Sequence, residues 1–137
     1  QWRQALTPWA DPNGDTGPYL QYSHARACSI LRKSQAQPDT WRAADLTLLV
    51  EAEEAALART LEEFPAVVSR AAEDCEPSLI ASSLLNLASA FGNFLNKHRV
   101  LESPPPLRAA RLALVDSVRE TLAKGLGLIG VNAPRVM

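Results

Sequence analysis

Cysteine is scarce in this sequence of 137 residues, and long apolar runs are missing. The two cysteines, Cys28 and Cys75, form neither a zinc-binding pattern nor a disulfide framework, which indicates free thiols in a reducing cytoplasm. No apolar run approaches the roughly 20 residues that span a bilayer, and the first residues lack the basic-then-apolar order of a signal peptide. We therefore expect a cytoplasmic domain that has no membrane partner.

Low-complexity tracts are also absent, because no stretch is rich in glycine, serine or glutamine, while 47% of the residues are hydrophobic. A chain of this length and composition can bury a core of its own, so it should fold as one globular domain. The sequence does not begin with methionine. We expect it to be a piece of a longer protein.

The motifs of common catalytic and metal sites are missing as well. No serine nucleophile elbow or Cys–His signature occurs, and the loop NGDTG lacks the Lys-Ser/Thr ending of a phosphate-binding loop. His24 and Cys28 are four residues apart and could present two metal ligands, but Cys75 and His98 are isolated. The sequence thus predicts no catalytic residues and no metal site, and it predicts packing roles for His24 and Cys28.

Charge is small in total and uneven in distribution. The net charge is −1, yet residues 51–76 contain eight acidic and two basic residues, whereas residues 97–137 contain seven basic and three acidic ones. A chain with this polarity could meet an anionic partner on one side only. Charge alone nevertheless favours ordinary solvated helix faces.

Apolar residues recur at helical spacing, and no strand pattern of useful length occurs. The predicted helices cover about residues 18–34, 41–64, 65–74, 76–97 and 107–129. Pro65 is expected to break or restart the second of them, the segment ESPPPL to form a stiff linker, and Gly130 to cap the last helix. Glycines before that cap are expected to loosen the helix end. The sequence therefore predicts an all-α bundle of about five helices.

Two tyrosines lie on the outer face of the first predicted helix. At about 100° per residue, Tyr22 and Arg26 fall nearly opposite the apolar stripe, and Tyr19 lies beside them. Aromatic and guanidinium planes stack on unpaired bases while cations follow phosphates, so this pattern is typical of proteins that hold looped RNA. A helical protein-interaction module without RNA binding would use the same side chains as anchors.

The segment GDTGPYLQYSHAR closely resembles the opening of the C-terminal, DALR-type anticodon-binding domain of arginyl-tRNA synthetases. The segments EEFPAVVSRAAED, EPSLIASSLLNLASAFGNF and ARLALVDSVRETLAKGLGLIGVNAPRVM resemble successive later parts of that domain. The resemblance covers residues 13–137. It identifies residues 1–12 as a remnant of, or linker to, a missing catalytic domain.

The resemblance implies a recognition module of an arginine–tRNA ligase. Such an enzyme joins arginine to its tRNA with ATP and Mg²⁺ in a separate Rossmann domain, whose HIGH and KMSKS-like motifs do not occur here. This chain should therefore need no cofactor and be inactive alone. Its expected partners are the anticodon stem-loop of the arginine tRNA, in which the central cytosine is a main identity element, and the catalytic domain of the same enzyme. DNA is not expected as a partner.

The resemblance also assigns RNA-contacting positions on the first helix. Tyr19, Tyr22 and Arg26 match the tyrosines and arginine that lie near the anticodon loop in the family, and Arg32 matches a further basic position. Taken without the resemblance, Tyr19 could equally pack on a neighbouring loop or on the missing catalytic domain.

Three further positions are implied near the anticodon base. Phe91 and Leu95 align with an aromatic pair of the penultimate helix, and Leu95 departs from the usual Tyr or Trp. Met137 matches the terminal residue, whose main chain and carboxylate lie near the same pocket. Periodicity alone places Phe91 in the core. The basic residues of the last third, among them Arg111, could bind phosphate, although each is most simply a surface charge.

Overall fold

Five α-helices follow one another in the computed structural model, which describes residues 16–137. No strand occurs among these residues, and two 3₁₀ turns, Leu46–Leu48 and Val100–Glu102, lie between helices. The predicted all-α bundle of five helices is confirmed. The predicted remnant at residues 1–12 lies outside the described residues. The helices are α1 (Thr16–Ser34), α2 (Pro38–Arg42), α3 (Ala52–Asp74), α4 (Ser78–Lys97) and α5 (Pro105–Leu128).

Helices α4 and α5 form the centre of the bundle. Helix α3 packs mainly on α4, helix α1 packs mainly on α5, and both also contact the other central helix. The acidic helix α3 and the basic helix α1 therefore lie on different sides of the central pair.

Helix α4 carries the apolar stripe that its periodicity predicts. Ile80, Leu84, Leu87, Phe91 and Phe94 are all buried in the core. The helix is long and apolar enough, with a mean hydropathy of 1.3, to resemble a membrane span by length and composition. Because its apolar face is packed against the neighbouring helices, this composition is that of a core helix.

The prediction that Pro65 ends a helix is wrong. Helix α3 runs without interruption through the proline, although a proline ring removes one main-chain hydrogen bond and normally costs about 3 kcal/mol. Leu57, Phe64 and Ala71 recur at seven-residue spacing on both sides of Pro65 and are all buried. Burial of this continuous stripe outweighs the local proline penalty.

The residues before α3 also differ from the prediction of one helix from about Trp41. Trp41 belongs to the short helix α2, which ends at Arg42. The Asp45 side chain then accepts hydrogen bonds from the amide and hydroxyl of Thr47 and starts a 3₁₀ turn. Local capping by Asp45 therefore competes successfully with helix continuation.

The end of α5 is closely packed and capped, although its glycines predict a loosened helix end. Gly125 is buried, and a Cβ atom placed there would lie 2.5 Å from a methyl carbon of Leu84, so the glycine permits close contact between α4 and α5. Gly130 has φ +78°, and the amide of Val131 donates to the Leu126 carbonyl at 2.8 Å. This Schellman motif confirms Gly130 as the cap. The helix begins at Pro105, inside the expected proline linker, because proline fits the first helical turn.

Candidate functional site

The outer face of α1 combines aromatic and cationic side chains. Tyr19 is 41% exposed and Tyr22 is 52% exposed, and the side chains of Arg26, Arg32 and Lys33 are also exposed. Helix α1 contains no aspartate or glutamate. Its outer surface is therefore positively charged without internal compensation.

The C-terminal segment returns to this face of α1. After the Schellman turn, the Gln21 side-chain amide donates to the Asn132 carbonyl at 3.0 Å, and His24 Nδ1 lies 2.8 Å from the Pro134 carbonyl oxygen. We call residues 132–137 the tail. These contacts bring the last three residues of the tail, Arg135, Val136 and Met137, beside the middle of α1.

A surface groove of about 300 Å³ lies between α1 and the tail. We call it the tail groove. Four of its lining side chains are cationic and none is acidic, so the groove offers a positive surface beside the Tyr22 ring. The structure thus brings together four of the residues predicted as RNA contacts, Tyr22, Arg26, Arg32 and Met137. The tail groove is lined by Tyr22, Ala25, Arg26, Ser29, Arg32, Lys33, Arg135, Val136 and Met137.

Leu95 lines a second groove, of about 340 Å³, on the other side of the same ridge of α1. We call it the Leu95 groove. It shares Arg26, Ser29 and Lys33 with the tail groove, so these side chains separate two adjoining depressions. The Leu95 side chain is half-buried and packs against the core from the floor of this groove.

Phe91 and Tyr19 do not join these grooves. Phe91 is 1% exposed and lies within the core, because it occupies the buried stripe of α4. Its ring presents no face to a ligand, so the periodicity gives its position correctly. Tyr19 is exposed but is not part of the lining of either groove.

Arg111 is a buried residue, which corrects its interpretation as a surface charge. It is 8% exposed, and its Nε atom donates to Glu54 Oε2 at 2.8 Å. Its other nitrogens donate to Ser103 Oγ at 2.8 Å and His98 Nδ1 at 3.3 Å. The sequence spacing indicates this burial, because Arg111 lies four positions after Leu107, the first residue of the helix's apolar stripe. Residues four apart lie on the same face of a helix.

His98 is likewise not isolated. Its Nε2 atom lies 2.9 Å from Glu53 Oε1, and this hydrogen bond lowers the pKa of the Glu53 carboxyl. Glu51, Glu53 and His98 present possible metal-ligand atoms within 4.8 Å of one another. Because Arg111 donates to Nδ1 of His98, the imidazole proton is on Nε2. Nε2 donates a hydrogen bond to Glu53, so these contacts form a structural hydrogen-bond chain.

His24 and Cys28 have the packing roles that the sequence predicts. His24 is buried on the inner side of α1, and Cys28 is half-buried one turn later. The Cys28 Sγ atom lies 3.8 Å from His24 Nε2. Burial raises the pKa of the Cys28 thiol, so this cysteine is not an activated nucleophile.

An all-α bundle that presents a cationic groove beside an exposed tyrosine has the surface expected of a helical module that binds an anionic ligand. The comparisons with known proteins identify the family. The chain belongs to the DALR anticodon binding domain family, whose sequence profile matches residues 20–137.

The relatives are arginine–tRNA ligases. The chain is 44% identical over 125 residues to the arginine–tRNA ligase of Alkaliphilus metalliredigens, covering 90% of this chain and 22% of the relative. It is 42% identical over 137 residues to that of Haloarcula marismortui, covering 100% of this chain and 23% of the relative. The arginyl-tRNA synthetase structure from Thermus thermophilus superposes with a TM-score of 0.81 at 44% identity, covering 90% of this chain and 21% of that structure's chain. The chain spans about a fifth of the length of these relatives.

Proposed function

We propose that this chain binds the anticodon stem-loop of the arginine tRNA and serves as the anticodon-reading domain of an arginine–tRNA ligase. The observation that carries the proposal is the tail groove, where an exposed tyrosine stands among four cationic side chains. The family and the ligase relatives support tRNA as the ligand that such a groove would receive.

Each wall of the groove has a distinct task in this proposal. The Tyr22 ring stacks on an unpaired base of the loop, and the apolar side chain of Met137 closes the opposite wall. The four cationic side chains, Arg26, Arg32, Lys33 and Arg135, neutralise phosphates next to that base. None of these tasks requires a rearrangement of the helices, since all the side chains already face the groove.

The Leu95 groove would hold a neighbouring nucleotide. Arg26 lies between the two grooves, so a phosphate on this arginine could connect a base in one groove to a base in the other. Leu95 would give that second base an apolar contact without aromatic stacking. Phe91 is buried in the core and would make no contact with the RNA.

The whole enzyme would use this binding for orientation. Holding the anticodon end fixes the tRNA, so that its acceptor end reaches an active site in the catalytic domain, where ATP and Mg²⁺ are used. The binding energy is thereby used to place the reacting groups. This chain contributes no chemical step to arginylation in the proposal.

The test is the binding of the chain to the arginine tRNA anticodon stem-loop, beside a stem-loop whose central cytosine is changed. Affinity is measured across a salt series. Four contacted phosphates on a single-stranded loop predict a slope of log K against log salt of about −3. The cytosine form should bind more tightly at every salt concentration.

A matched pair of arginine variants locates the contact. Arg26→Gln should weaken binding and make the salt slope shallower by about 0.7. Arg59→Gln removes an arginine of α3 that is also exposed, and it should change neither quantity. Equal binding of the two stem-loops would contradict anticodon reading, and absence of binding at low salt would favour a protein-interaction module.

A further inference from the structure

The tail owes its position to side chains of α1. Among the described residues, no main-chain-to-main-chain hydrogen bond joins residues 132–137 to the rest of the chain. The apolar side chains of Val131 and Ala133 pack against the core. Polar contact with the tail main chain comes from Gln21 at Asn132 and from His24 at Pro134.

The His24 contact has a defined chemistry. A carbonyl oxygen only accepts hydrogen bonds, so Nδ1 must carry the proton that it donates to Pro134. The imidazole is buried beneath the tail, and its Nε2 atom faces the Cys28 sulfur at 3.8 Å. This buried donor holds Pro134, the residue before Arg135. It therefore fixes the point from which the last three residues extend.

We propose that His24, assisted by Gln21, is a positioning residue that holds the tail against α1 and thereby forms the wall of the tail groove. This inference rests on the proposed RNA-binding function, and it assigns to His24 no contact with RNA. Without the two hydrogen bonds, the chain beyond Ala133 has no polar attachment to α1. Each freed residue extends the reach of the chain by about 3.5 Å, enough to move Met137 out of the groove.

The matched variants are His24→Asn and His24→Leu. The Asn side-chain nitrogen occupies the same position along the side chain as Nδ1 and can donate to the Pro134 carbonyl. Leucine has the branching of asparagine but no donor, and it leaves that carbonyl without its partner. Both variants remove the rest of the ring, so the difference between them isolates the hydrogen bond.

Two measurements separate tail position from RNA binding. The heteronuclear ¹⁵N NOE of the Arg135, Val136 and Met137 amides reports whether the tail is ordered in the free protein. Affinity for the anticodon stem-loop reports the use of the groove. We expect His24→Leu to reduce the NOE values of these three amides and to weaken RNA binding about three- to tenfold, and His24→Asn to restore most of both.

The outcomes are distinct. Unchanged NOE values in His24→Leu would overturn the positioning role, whatever happens to RNA affinity. A mobile tail with unchanged RNA affinity would overturn the role of the tail as a groove wall. If the wild-type chain binds no RNA, the proposed function fails, and the NOE values still decide whether His24 orders the tail.

If the buried His24 variants fail to fold, a variant of Gln21 still tests the proposal. Gln21→Leu removes the other hydrogen bond from a half-buried position, where the fold tolerates the change. It should lower the NOE values in the tail by a smaller amount and leave the thermal midpoint nearly unchanged. A tail as ordered as in the wild type would count against the proposal.

Discussion

Replacing Arg111 should destabilise the fold more than replacing any exposed arginine. The guanidinium lies in the interior and donates to Glu54, Ser103 and His98. The second oxygen of Glu54 accepts from the Glu51 amide at 3.0 Å and completes the capping box of α3. Arg111→Met keeps much of the side-chain length and apolar packing but removes all of these donors.

The size of the effect follows from what remains buried. Glu54 is 1% exposed and would lose its cationic partner, and breaking a buried ion pair in this way costs about 3–5 kcal/mol. A small domain has a total free energy of unfolding of about 5–15 kcal/mol, so the loss is a large part of it. The double variant Glu54→Gln/Arg111→Met should recover at least about 1 kcal/mol, because glutamine carries no charge and still accepts at the capping box.

Urea unfolding followed by far-ultraviolet circular dichroism measures these free energies. Arg59→Met replaces an exposed arginine of α3, serves as the control and should change the free energy of unfolding by no more than about 0.5 kcal/mol. A loss of less than about 1 kcal/mol in Arg111→Met would refute the reasoning. So would a double variant less stable than the single Arg111 variant.

Three further predictions concern other parts of the molecule. Gly125→Ala forces a methyl group into the contact with α4 and should lower the free energy of unfolding by about 1–3 kcal/mol. Gly127→Ala meets open space and should raise the free energy of unfolding by up to about 1 kcal/mol. Urea unfolding measures both changes. Tyr22→Ala should weaken stem-loop binding by about 1–3 kcal/mol with no change in helicity, and an unchanged dissociation constant would remove the ring from the interface. The pKa of the Glu53 carboxyl is lowered by His98, so this contact stabilises the fold above the carboxyl's unfolded pKa and is lost as pH falls through the folded one. The stability difference between the wild type and Glu53→Gln should therefore shrink as the pH is lowered through about 4, and a difference independent of pH would contradict it.

The core of this fold could be predicted from the sequence because packing imposes a local pattern. Helix α4 buries every residue of its predicted apolar stripe, including Phe91. The family resemblance placed the same Phe91 near a base. The exposed fraction agrees with the periodicity, since a ring on the inner stripe cannot also face solvent.

Other features escaped prediction because burial or distant contacts decide them. Pro65 lies within an uninterrupted helix, since the apolar stripe on both sides of it is buried. The charge of Arg111 suggests a surface position, whereas its spacing places it on the buried face. The contact between His24 and Pro134 joins residues 110 positions apart, and no local pattern in either segment specifies it.

That distant contact brings together two segments that carry the family resemblance. The opening segment around Tyr22 and the closing segment up to Met137 lie at opposite ends of the described chain, yet they become the two walls of one groove. In the proposed function one ligand would contact both segments, because neither forms the groove alone. The tail groove therefore could not be predicted from the pattern of either segment alone, because it forms where the two ends of the described chain meet.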